Sequence, residues 1–330
     1  MKAKGDISPR TLAAMLRNRE TTRFLVALGV LAVIYESRPN VTADAAALCI
    51  KSGNAAILRG GSEALNSNRA IAALVQKSLA EAGLPAQGVQ CIDTTDRAAV
   101  GILITLRDDI DVIVPRGGKG LIERISAEAR VPVIKHLDGI CHVYVDDEAD
   151  LQKAMDIIIN GKTTNIGVCN ALDKVLIDSN LENWENFAAK LVAELQKYKV
   201  EILGDERFSK ATNLPQIESD LIWYEEFLNY KIVVGIVDSN EEAVAKINKY
   251  CGGHSASIIT QNDALAQEFM ENVDTAAVYQ NASTRFTDGG QFGLGGELAI
   301  STDKLHQRGP IGLQHLVTNK WYIYGHGQIR

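Results

Sequence analysis

A cysteine stands near the end of the polar loop Lys162–Asn170, between a helical pattern and a strand-like run. Gly167 lets this backbone come close to a bound group, and Asn170 with neighbouring peptide N–H groups favours a thiolate at Cys169. A thiolate in such a loop is suited to nucleophilic catalysis. A buried structural thiol is the alternative, because free cysteine is among the most buried residue types.

Two glycine-rich turns predict anion sites. Each follows an apolar strand, opens a helix and carries a cation: Arg59-Gly60-Gly61-Ser62 and Arg116-Gly117-Gly118-Lys119-Gly120. Helix N-termini present unpaired N–H groups, and glycine leaves them open to close approach. Two ordinary βα loops with solvated arginines are the alternative, but the repetition in one sheet favours phosphate binding. Neither turn is a P-loop or a G-x-G-x-x-G fingerprint.

A long polar, glycine-rich loop runs from Asn281 to Gly295. Long ordered loops of this composition usually carry function. Arg285, beside Asn281, Ser283 and Thr284, suits a substrate carboxylate or phosphate, although a solvated arginine is the alternative.

Alternating strand and helix patterns must position these segments. They run from residue 24 to about residue 145, where the last strand is predicted at 133–135, and resume from residue 146. This repetition predicts an α/β fold with doubly wound, mostly parallel sheets. The longest apolar run, Phe24–Ile34, is predicted as a buried strand with its approach and is too short to span a bilayer. Trp321–Tyr324 predicts an edge strand open to another chain.

Composition narrows the class of protein. With 330 residues and 46% hydrophobic content, the chain has material for about two soluble domains. A net charge of −7 without a long basic patch argues against nucleic-acid or membrane partners. The five cysteines are odd in number and lack C-x-x-C, so neither a disulfide framework nor a metal site is indicated. A reducing, cytoplasmic location follows.

Several motifs in one order resemble the gamma-glutamyl phosphate reductase (glutamate-5-semialdehyde dehydrogenase) family of the aldehyde dehydrogenase superfamily. The resemblance covers nearly everything from residue 30 onward. It rests on the segments 34–42 (IYESRPNVT), 57–63 (ILRGGSE), 92–97 (IDTTDR), 115–121 (PRGGKGL), 136–144 (HLDGICHVY), 167–170 (GVCN), 281–290 (NASTRFTDGG) and 304–310 (KLHQRGP).

The resemblance implies a domain plan and a reaction. An NADP-binding domain would occupy residues 1–145, a catalytic domain 146–312 and a C-terminal oligomerisation strand 313–330. Cys169 would attack the acyl phosphate of L-glutamyl 5-phosphate, and NADPH would reduce the resulting thioester to L-glutamate 5-semialdehyde on the route to proline. The Cys169 backbone N–H and the Asn40 side chain would hold the oxyanion.

The resemblance also assigns cofactor residues. Arg59 matches the superfamily's strand-end lysine, and Ser62 stands where NAD-preferring relatives often hold a glutamate, so NADP(H) is favoured. Glu226 resembles the glutamate that holds the nicotinamide ribose, with a surface acid as the alternative. His136 stands where hydrolytic relatives place a water-activating glutamate; it would assist proton transfer or be structural. The remaining candidates are the two turns' residues Gly60, Gly61, Arg116, Gly117, Gly118 and Lys119.

Two departures from the family leave a rival hypothesis open. Fewer residues precede the segment 34–42 than in the family, and Thr164-Asn165-Ile166 replaces the usual Gln-Arg-Pro before Gly-Val-Cys-Asn. A truncated, weakly active NADP-binding paralogue with an assembly role is therefore the alternative, and a thiol acyltransferase without redox chemistry is a third. The expected partners are further copies of the chain and the glutamate 5-kinase that supplies the substrate.

Overall fold

The computed structural model describes residues 21–36, 38–135, 138–324 and 327. These residues form two compact units. The first contains the described residues up to Gly117, with Ala127–Val133 and the segment from Gly312 onward, and the second contains Gly118–Ser126 and Ile134–Ile311. His136 lies outside the described residues, so its predicted role stays a prediction.

The first unit is built on four parallel strands with helices between them. Its strands are β1 (Thr21–Ala27), β2 (Val30–Tyr35), β3 (Ala55–Arg59), β4 (Val89–Cys91), β5 (Val112–Arg116) and, from the end of the chain, β14 (Val317–Ile323). The helices are α1 (Asn40–Lys51), α2 (Leu65–Glu81), α3 (Ala98–Leu103) and α4 (Lys119–Glu128), the last of which is divided between the units. The parallel sheet has the order β4-β3-β2-β5.

The central strand of this sheet explains the position of the two glycine turns. Residues 31–35 of β2 are all buried, as expected of a parallel strand covered on both faces. Ile34 of β2 is opposite Arg59, and Tyr35 is opposite Arg116. The strands that lead into both turns therefore end together at the carboxyl edge of the sheet, which is where α/β sheets bind ligands.

The apolar run Phe24–Ile34, predicted as a buried strand with its approach, supplies the buried strand β2 from its second half, and its first half belongs to β1. The run divides at Gly29, whose φ of 135° is rarely adopted by residues with a Cβ. An added Cβ there would also lie 2.0 Å from a carboxylate oxygen of Asp111, which accepts a hydrogen bond from the Val30 N–H. Before this break, β1 leaves the sheet and Phe24 is 38% exposed.

The C-terminal strand β14 pairs antiparallel with β1 of the same chain in a sheet of two strands, with Phe24 opposite Lys320. It is an edge strand, and its contact with another chain stays a prediction. The last strand predicted for the first series is wrong. Residues 133–135 do not form a strand; they contribute one bridge between Val133 and Ile113.

The second unit contains a sheet of six parallel strands in the order β11-β10-β6-β7-β9-β8. These are β6 (Cys141–Val145), β7 (Leu172–Asp178), β8 (Glu201–Gly204), β9 (Lys231–Val237), β10 (Ser255–Ile259) and β11 (Ala277–Gln280). A separate antiparallel pair is formed by β12 (Ala299–Ser301) and β13 (Gly309–Ile311). The helices are α5 (Leu151–Thr163), α6 (Trp184–Lys197), α7 (Glu206–Thr212), α8 (Asn240–Tyr250) and α9 (Asp263–Asn272). Parallel sheets in both units confirm the predicted fold class.

The chemically active residues of the second unit gather at the amino ends of its strands. Cys141 begins β6, Ser255 begins β10, and Cys169 lies shortly before β7. Cys141 is opposite Leu172, the first residue of β7. Because the three strands are parallel and adjacent, their amino ends meet at one edge of the sheet and bring these distant segments together.

The helix before the cysteine loop extends into the segment that the sequence predicts as loop. Asp150 caps its start by accepting from the Gln152 and Lys153 N–H groups, and α5 continues to Thr163. Lys162, predicted in the polar loop, is therefore helical and fully buried. No helix among the described residues has both the length and the apolar composition needed to cross a membrane.

Candidate active site

The thiol of Cys169 lies beside a histidine. Its sulfur stands 3.1 Å from Nε2 of His254, within hydrogen-bond distance. His254 is fully buried, whereas Cys169 keeps part of its surface accessible. An imidazole in this position can take the thiol proton and hold the thiolate as an ion pair, which is how many cysteine nucleophiles are activated. The geometry favours a nucleophile over a purely structural thiol.

Sequence analysis did not single out His254, which lies 85 residues from Cys169. The only local signal is the glycine pair directly before it, Gly252 and Gly253, whose φ angles are 67° and 79°. A Cβ on Gly252 would lie 2.1 Å from the carbonyl oxygen of Asp138. The glycine turn therefore packs closely on the segment before β6 and directs the chain into β10.

A glycine and a second cysteine support the backbone of Cys169. A Cβ on Gly139 would lie 2.4 Å from the Cys169 carbonyl oxygen and 2.7 Å from its Cβ, so only a hydrogen fits there. The Cys141 thiol donates to the same carbonyl oxygen at 3.3 Å. Complete burial raises the pKa of Cys141 well above its ordinary value, so this thiol keeps its proton and remains a donor.

The structure brings the cysteine loop and the Arg285 loop together. Asn170 Nδ2 donates to the carbonyl oxygens of Arg285 (3.3 Å) and Thr287 (2.9 Å), and Thr284 Oγ1 donates back to the Asn170 carbonyl oxygen at 2.9 Å. Asn170 and Thr284 are both buried. Asn170 thus fastens two loops that are distant in sequence, and its amide protons are not directed at the thiol.

The four predicted substrate residues have different surroundings. Asn281 spends its side chain on the backbone of Thr260, and Ser283 Oγ accepts from the Arg285 N–H. With Thr284 bonded to the cysteine loop, these three polar groups shape the loop. Arg285 differs: its Nε and Nη1 atoms are buried and have no hydrogen-bond partner within the described ranges. Buried guanidinium donors need an acceptor, which suits this side chain to an anion.

Glu226 lies beside Gly139, the glycine that packs against the Cys169 backbone. Its carboxylate accepts a hydrogen bond from the Gly139 N–H, so Gly139 contacts both Glu226 and Cys169. Burial raises the pKa of Glu226 to about 7, with the nearby carboxylates of Asp173 and Asp138 adding to the shift. Lys119 acts in the opposite direction and forms an ion pair of 2.6 Å with Asp138. Glu226 is therefore no ordinary surface acid.

Buried charges that the sequence analysis missed hold the chain around Glu226. Lys162 Nζ pairs with Asp173 at 2.9 Å, and the other Asp173 oxygen accepts from the Phe227 N–H at 3.0 Å. Lys174 Nζ donates to the Glu225 carbonyl oxygen at 2.9 Å and lies 3.5 Å from the centre of the Phe227 ring. Burial lowers the pKa of Lys174 to about 7. The residues on either side of Glu226 are thus held by hydrogen bonds, Glu225 by Lys174 and Phe227 by Asp173.

In the first unit, most of the Arg59 guanidinium donors bind backbone carbonyl oxygens of the chain itself. Its guanidinium donates to three carbonyl oxygens, those of Gly60 (3.0 Å), Thr95 (3.2 Å) and Asp96 (3.4 Å). Its Nε is buried and has no partner in the part of the chain that the structure describes. Arg59 therefore stiffens the glycine turn, and its Nε–H remains available to a ligand.

Gly60 is required by packing within the first unit. A Cβ there would lie 2.0 Å from Asn68 Nδ2 and 3.0 Å from the Tyr35 ring. Asn68 is buried and accepts from Thr42 Oγ1 at 3.0 Å, and the Tyr35 hydroxyl donates to Thr42 at 2.7 Å. At the adjacent position the Ser62 hydroxyl is exposed and donates to Glu63 at 3.3 Å. The turn thus faces solvent through Ser62.

Two other predicted residues have local partners. In the second turn, α4 begins with Leu121 N–H donating to the Gly118 carbonyl oxygen at 3.0 Å, and Lys119 is held by Asp138. Asn40, the first residue of α1, is exposed and donates to Asp44 at 3.2 Å. The anion contact predicted for the turn and the oxyanion contact predicted for Asn40 stay predictions.

The first parallel α/β unit carries a glycine turn at the carboxyl edge of its sheet, and the second carries a cysteine paired with a histidine. The cysteine–histidine pair is typical of enzymes that form a covalent adduct on a thiol. The family model of aldehyde dehydrogenases matches residues 2–221. The chain belongs to the aldehyde dehydrogenase family.

Solved structures narrow the comparison. The chain is 44% identical to gamma-glutamyl phosphate reductase from Thermotoga maritima, with a TM-score of 0.90 over 94% of this chain and 74% of that one. This confirms the resemblance read from the sequence motifs. An acetylating aldehyde dehydrogenase from Geobacillus thermoglucosidasius shares the fold at 20% identity, with a TM-score of 0.72 over 94% of this chain and 78% of that one. A propionaldehyde dehydrogenase from Clostridium phytofermentans does so at 18%, with a TM-score of 0.68 over 92% and 77%.

Proposed function

We propose that this chain is the NADPH-dependent reductase of L-glutamyl 5-phosphate, which forms L-glutamate 5-semialdehyde and phosphate in proline biosynthesis. The observation that carries the proposal is the contact of 3.1 Å between Cys169 Sγ and His254 Nε2. The identity of 44% to a gamma-glutamyl phosphate reductase supports the choice of substrate. The spare guanidinium donors of Arg285 add an anion contact in the same unit.

Cys169 and His254 together account for the acyl transfer. His254 Nε2 takes the thiol proton, and the thiolate forms a C–S bond to the acyl carbon while the C–O bond to phosphate breaks. The proton held by His254 is then available to the departing phosphate. Bound NADPH supplies the hydride that reduces the thioester carbonyl. The C–S bond then breaks, releasing the aldehyde and returning the sulfur as a thiolate.

The residues of the first unit fit a nicotinamide cofactor. β3 ends in a glycine turn at the carboxyl edge of its sheet, and the buried Arg59 Nε has no partner among the described residues. Ser62 is exposed at this turn, and a serine accepts a 2′-phosphate that a carboxylate in its place would repel. NADP(H) is therefore the proposed cofactor, with its 2′-phosphate at this turn. For Glu226 we separately propose the contact with the nicotinamide ribose that the family resemblance implies.

Ser62→Glu tests the cofactor preference. The added carboxylate should raise the KM for NADPH by about tenfold, the effect of roughly 1.4 kcal/mol of repulsion, and change the KM for NADH by less than about twofold. Ser78→Glu near the other end of α2 adds the same charge away from the turn and should affect neither value. Equal changes for the two cofactors would contradict a 2′-phosphate contact at Ser62. Arg59→Glu is a poorer test because it would set a carboxylate against three carbonyl oxygens.

The pKa of Glu226, raised to about 7, predicts a pH dependence for cofactor binding. An ionised carboxylate accepts ribose hydroxyl protons more strongly than a neutral acid, so the KM for NADPH should fall about fivefold from pH 6 to pH 8. Glu226→Gln supplies the baseline, including any titration of the cofactor itself, and should be flatter. Glu225→Gln should keep the wild-type profile, and an equally flat profile for that variant would remove the role given to Glu226.

The proposed partners follow from the chemistry of the substrate. An acyl phosphate hydrolyses readily, so direct transfer from the kinase that makes it would limit its loss to water. We therefore propose contact with glutamate 5-kinase. The exposed aromatic residues on β1 and β14, Phe24, Trp321 and Tyr322, suit an interface between copies of the chain. All five cysteines are free, which suits a reducing compartment such as the cytoplasm.

The deciding experiment is run in the reverse direction with purified chain. Glutamate 5-semialdehyde, in equilibrium with its cyclic form, is supplied with NADP⁺, and NADPH absorbance is followed with and without inorganic phosphate. The proposal expects NADPH to form only with phosphate. NADPH formation at the same rate without phosphate would indicate a hydrolytic dehydrogenase. Absence of NADPH formation from a folded chain that binds NADPH would reject the reductase activity.

A further inference from the structure

Behind His254 lies a line of buried hydroxyl groups. The Ser255 Oγ is 2.9 Å from His254 Nδ1, and Thr287 Oγ1 is 2.7 Å from Ser255 Oγ. The Tyr279 hydroxyl lies 2.7 Å from the same Thr287 oxygen. His254, Ser255 and Thr287 are fully buried. These groups come from β10, from β11 and from the loop after it, and they connect the cysteine's partner to a half-buried tyrosine.

We infer that Ser255 is a positioning residue for the nucleophile: held by Thr287 and Tyr279, it keeps the His254 proton on Nδ1 and so leaves Nε2 to accept the proton of Cys169. The inference rests on the proposed function and extends it. It assigns to three hydroxyl groups a task that neither the sequence motifs nor the contact between Cys169 and His254 requires.

The second neighbour of Nδ1 decides where the imidazole proton lies. Cys141 Sγ is 3.7 Å from Nδ1 and 3.3 Å from the Cys169 carbonyl oxygen. The Cys141 proton has its better acceptor in that carbonyl oxygen, so a sulfur lone pair faces Nδ1. Nδ1 thus faces this sulfur, whose free side can only accept, and the Ser255 oxygen, which can accept or donate, so a proton on Nδ1 satisfies both. The Ser255 proton is then free to be donated to Thr287.

The hydrogen bonds along this line of hydroxyl groups can all run in one direction, away from His254. Ser255 donates to Thr287, Thr287 donates to Tyr279, and the half-buried Tyr279 hydroxyl can donate toward its accessible side. Burial raises the pKa of Tyr279, so the phenol keeps its proton. When Nε2 takes the thiol proton, the new imidazolium still donates from Nδ1 to Ser255. The hydrogen bond stabilises the charged imidazole, because such bonds are stronger when the donor is ionised.

Other ionisable groups near this pair affect its titration and must remain in place in every variant. Those with a contact or charge interaction at the site or its supporting glycines are Cys141, Cys251, Asp138, Asp173, Glu226, Tyr279 and the pair Arg308–Asp274. None of these groups is replaced in the test. The effect of Ser255 can then be separated from general changes in local charge.

The test is the pH profile of Cys169 alkylation by iodoacetamide in the whole chain, without substrate. The rate is followed on the Cys169 peptide by mass spectrometry, because other cysteines also react. Ser255→Ala should move the pH of half-maximal rate upward by about one unit, since the imidazolium loses its acceptor. His254→Gln sets the upper limit of the effect. Thr287→Val removes the next hydroxyl with little change of shape and should give a smaller shift, which Thr287→Ser should reverse.

Ser257→Ala is the matched control. Ser257 is also fully buried, follows two residues later on the same strand, and donates to the Ala282 carbonyl oxygen at 2.7 Å. Its loss removes a hydrogen bond of similar kind and should leave the alkylation profile unchanged. An unchanged profile in Ser255→Ala, or an equal shift in Ser257→Ala, would overturn the inference.

Failure of this inference and failure of the proposed function give different results. Alkylation needs neither glutamyl phosphate nor NADPH, so the expected shift without reductase activity would reject only the function. Reductase activity with an unchanged alkylation profile in Ser255→Ala would reject only the positioning role. In the active enzyme, Ser255→Ala should lower kcat by about tenfold and leave the KM for NADPH unchanged, as expected of a group acting on the nucleophile alone.

Discussion

Cys169→Ser is expected to abolish turnover while the chain still binds NADPH with unchanged affinity. The serine hydroxyl occupies nearly the same position beside His254 but is far less acidic than a thiol, so the proposed base would generate almost no nucleophile. Loss of the nucleophile typically costs at least about 10⁴-fold in rate. The measurement is phosphate-dependent NADPH formation, with cofactor affinity from fluorescence titration of the same samples.

Cys91→Ser provides the control for the loss of a thiol. Cys91 is half-buried in β4 of the first unit, and its nearest hydrogen-bond acceptor is 4.0 Å away. This variant should retain activity within about twofold, as surface-like substitutions usually do. Activity of more than a few per cent in Cys169→Ser would exclude Cys169 as the covalent nucleophile.

Gly139→Ala is expected to lower kcat by about 100-fold, because a misplacement of about 1 Å at the reacting group is enough for such a loss. The new methyl group would lie 2.4 Å from the Cys169 carbonyl oxygen and 2.7 Å from its Cβ, and neither atom belongs to a flexible side-chain end. The cysteine backbone must therefore shift relative to His254. Glu226, the proposed ribose contact, accepts a hydrogen bond from the Gly139 N–H. A shift of Gly139 should therefore raise the KM for NADPH as well.

The expected cost in stability for Gly139→Ala is about 1–3 kcal/mol, as is usual when a close-packed site is overfilled. Gly88→Ala is the matched control, since an added Cβ meets only the end of the Ile50 side chain, at 3.3 Å, and the residue lies in the first unit outside both glycine turns. It should keep full activity and change the free energy of unfolding by no more than about 0.5 kcal/mol. Wild-type kcat in Gly139→Ala would show that the contact is not rigid. Urea unfolding and kcat on the same preparations measure both effects.

Much of the fold follows from local patterns. The alternation of strands and helices in both units could be predicted, because buried parallel strands appear in the sequence as apolar runs and helices as periodic ones. The failures have specific causes. Within the apolar run Phe24–Ile34, Gly29 is a local signal of a break, but nothing in the run shows that β1 leaves the sheet for β14.

In the candidate site, too, some residues could be predicted from the sequence and others could not. Cys169 and Arg285 could be singled out because a cysteine and an arginine in polar, glycine-rich loops are unusual enough to suggest chemistry. Lys162 and Lys174 could not, because lysine is rarely buried without a partner and Asp173 becomes that partner only in the folded sheet. Arg59, singled out for its charge, proves to spend most of its donors on neighbouring carbonyl groups.

By itself the sequence determined the α/β class, the family and the choice of Cys169 as the proposed nucleophile, since these depend on residue types, spacing and order along the chain. Tertiary structure alone decided which side chain stands beside that thiol as its proposed base. His254 lies 85 residues away, and it reaches Cys169 because adjacent parallel strands place their amino ends at one edge. Glycines at positions 139 and 252 let the loops at that edge pack closely enough for the contact. A pairing across the sheet leaves no spacing in the sequence from which it could be read.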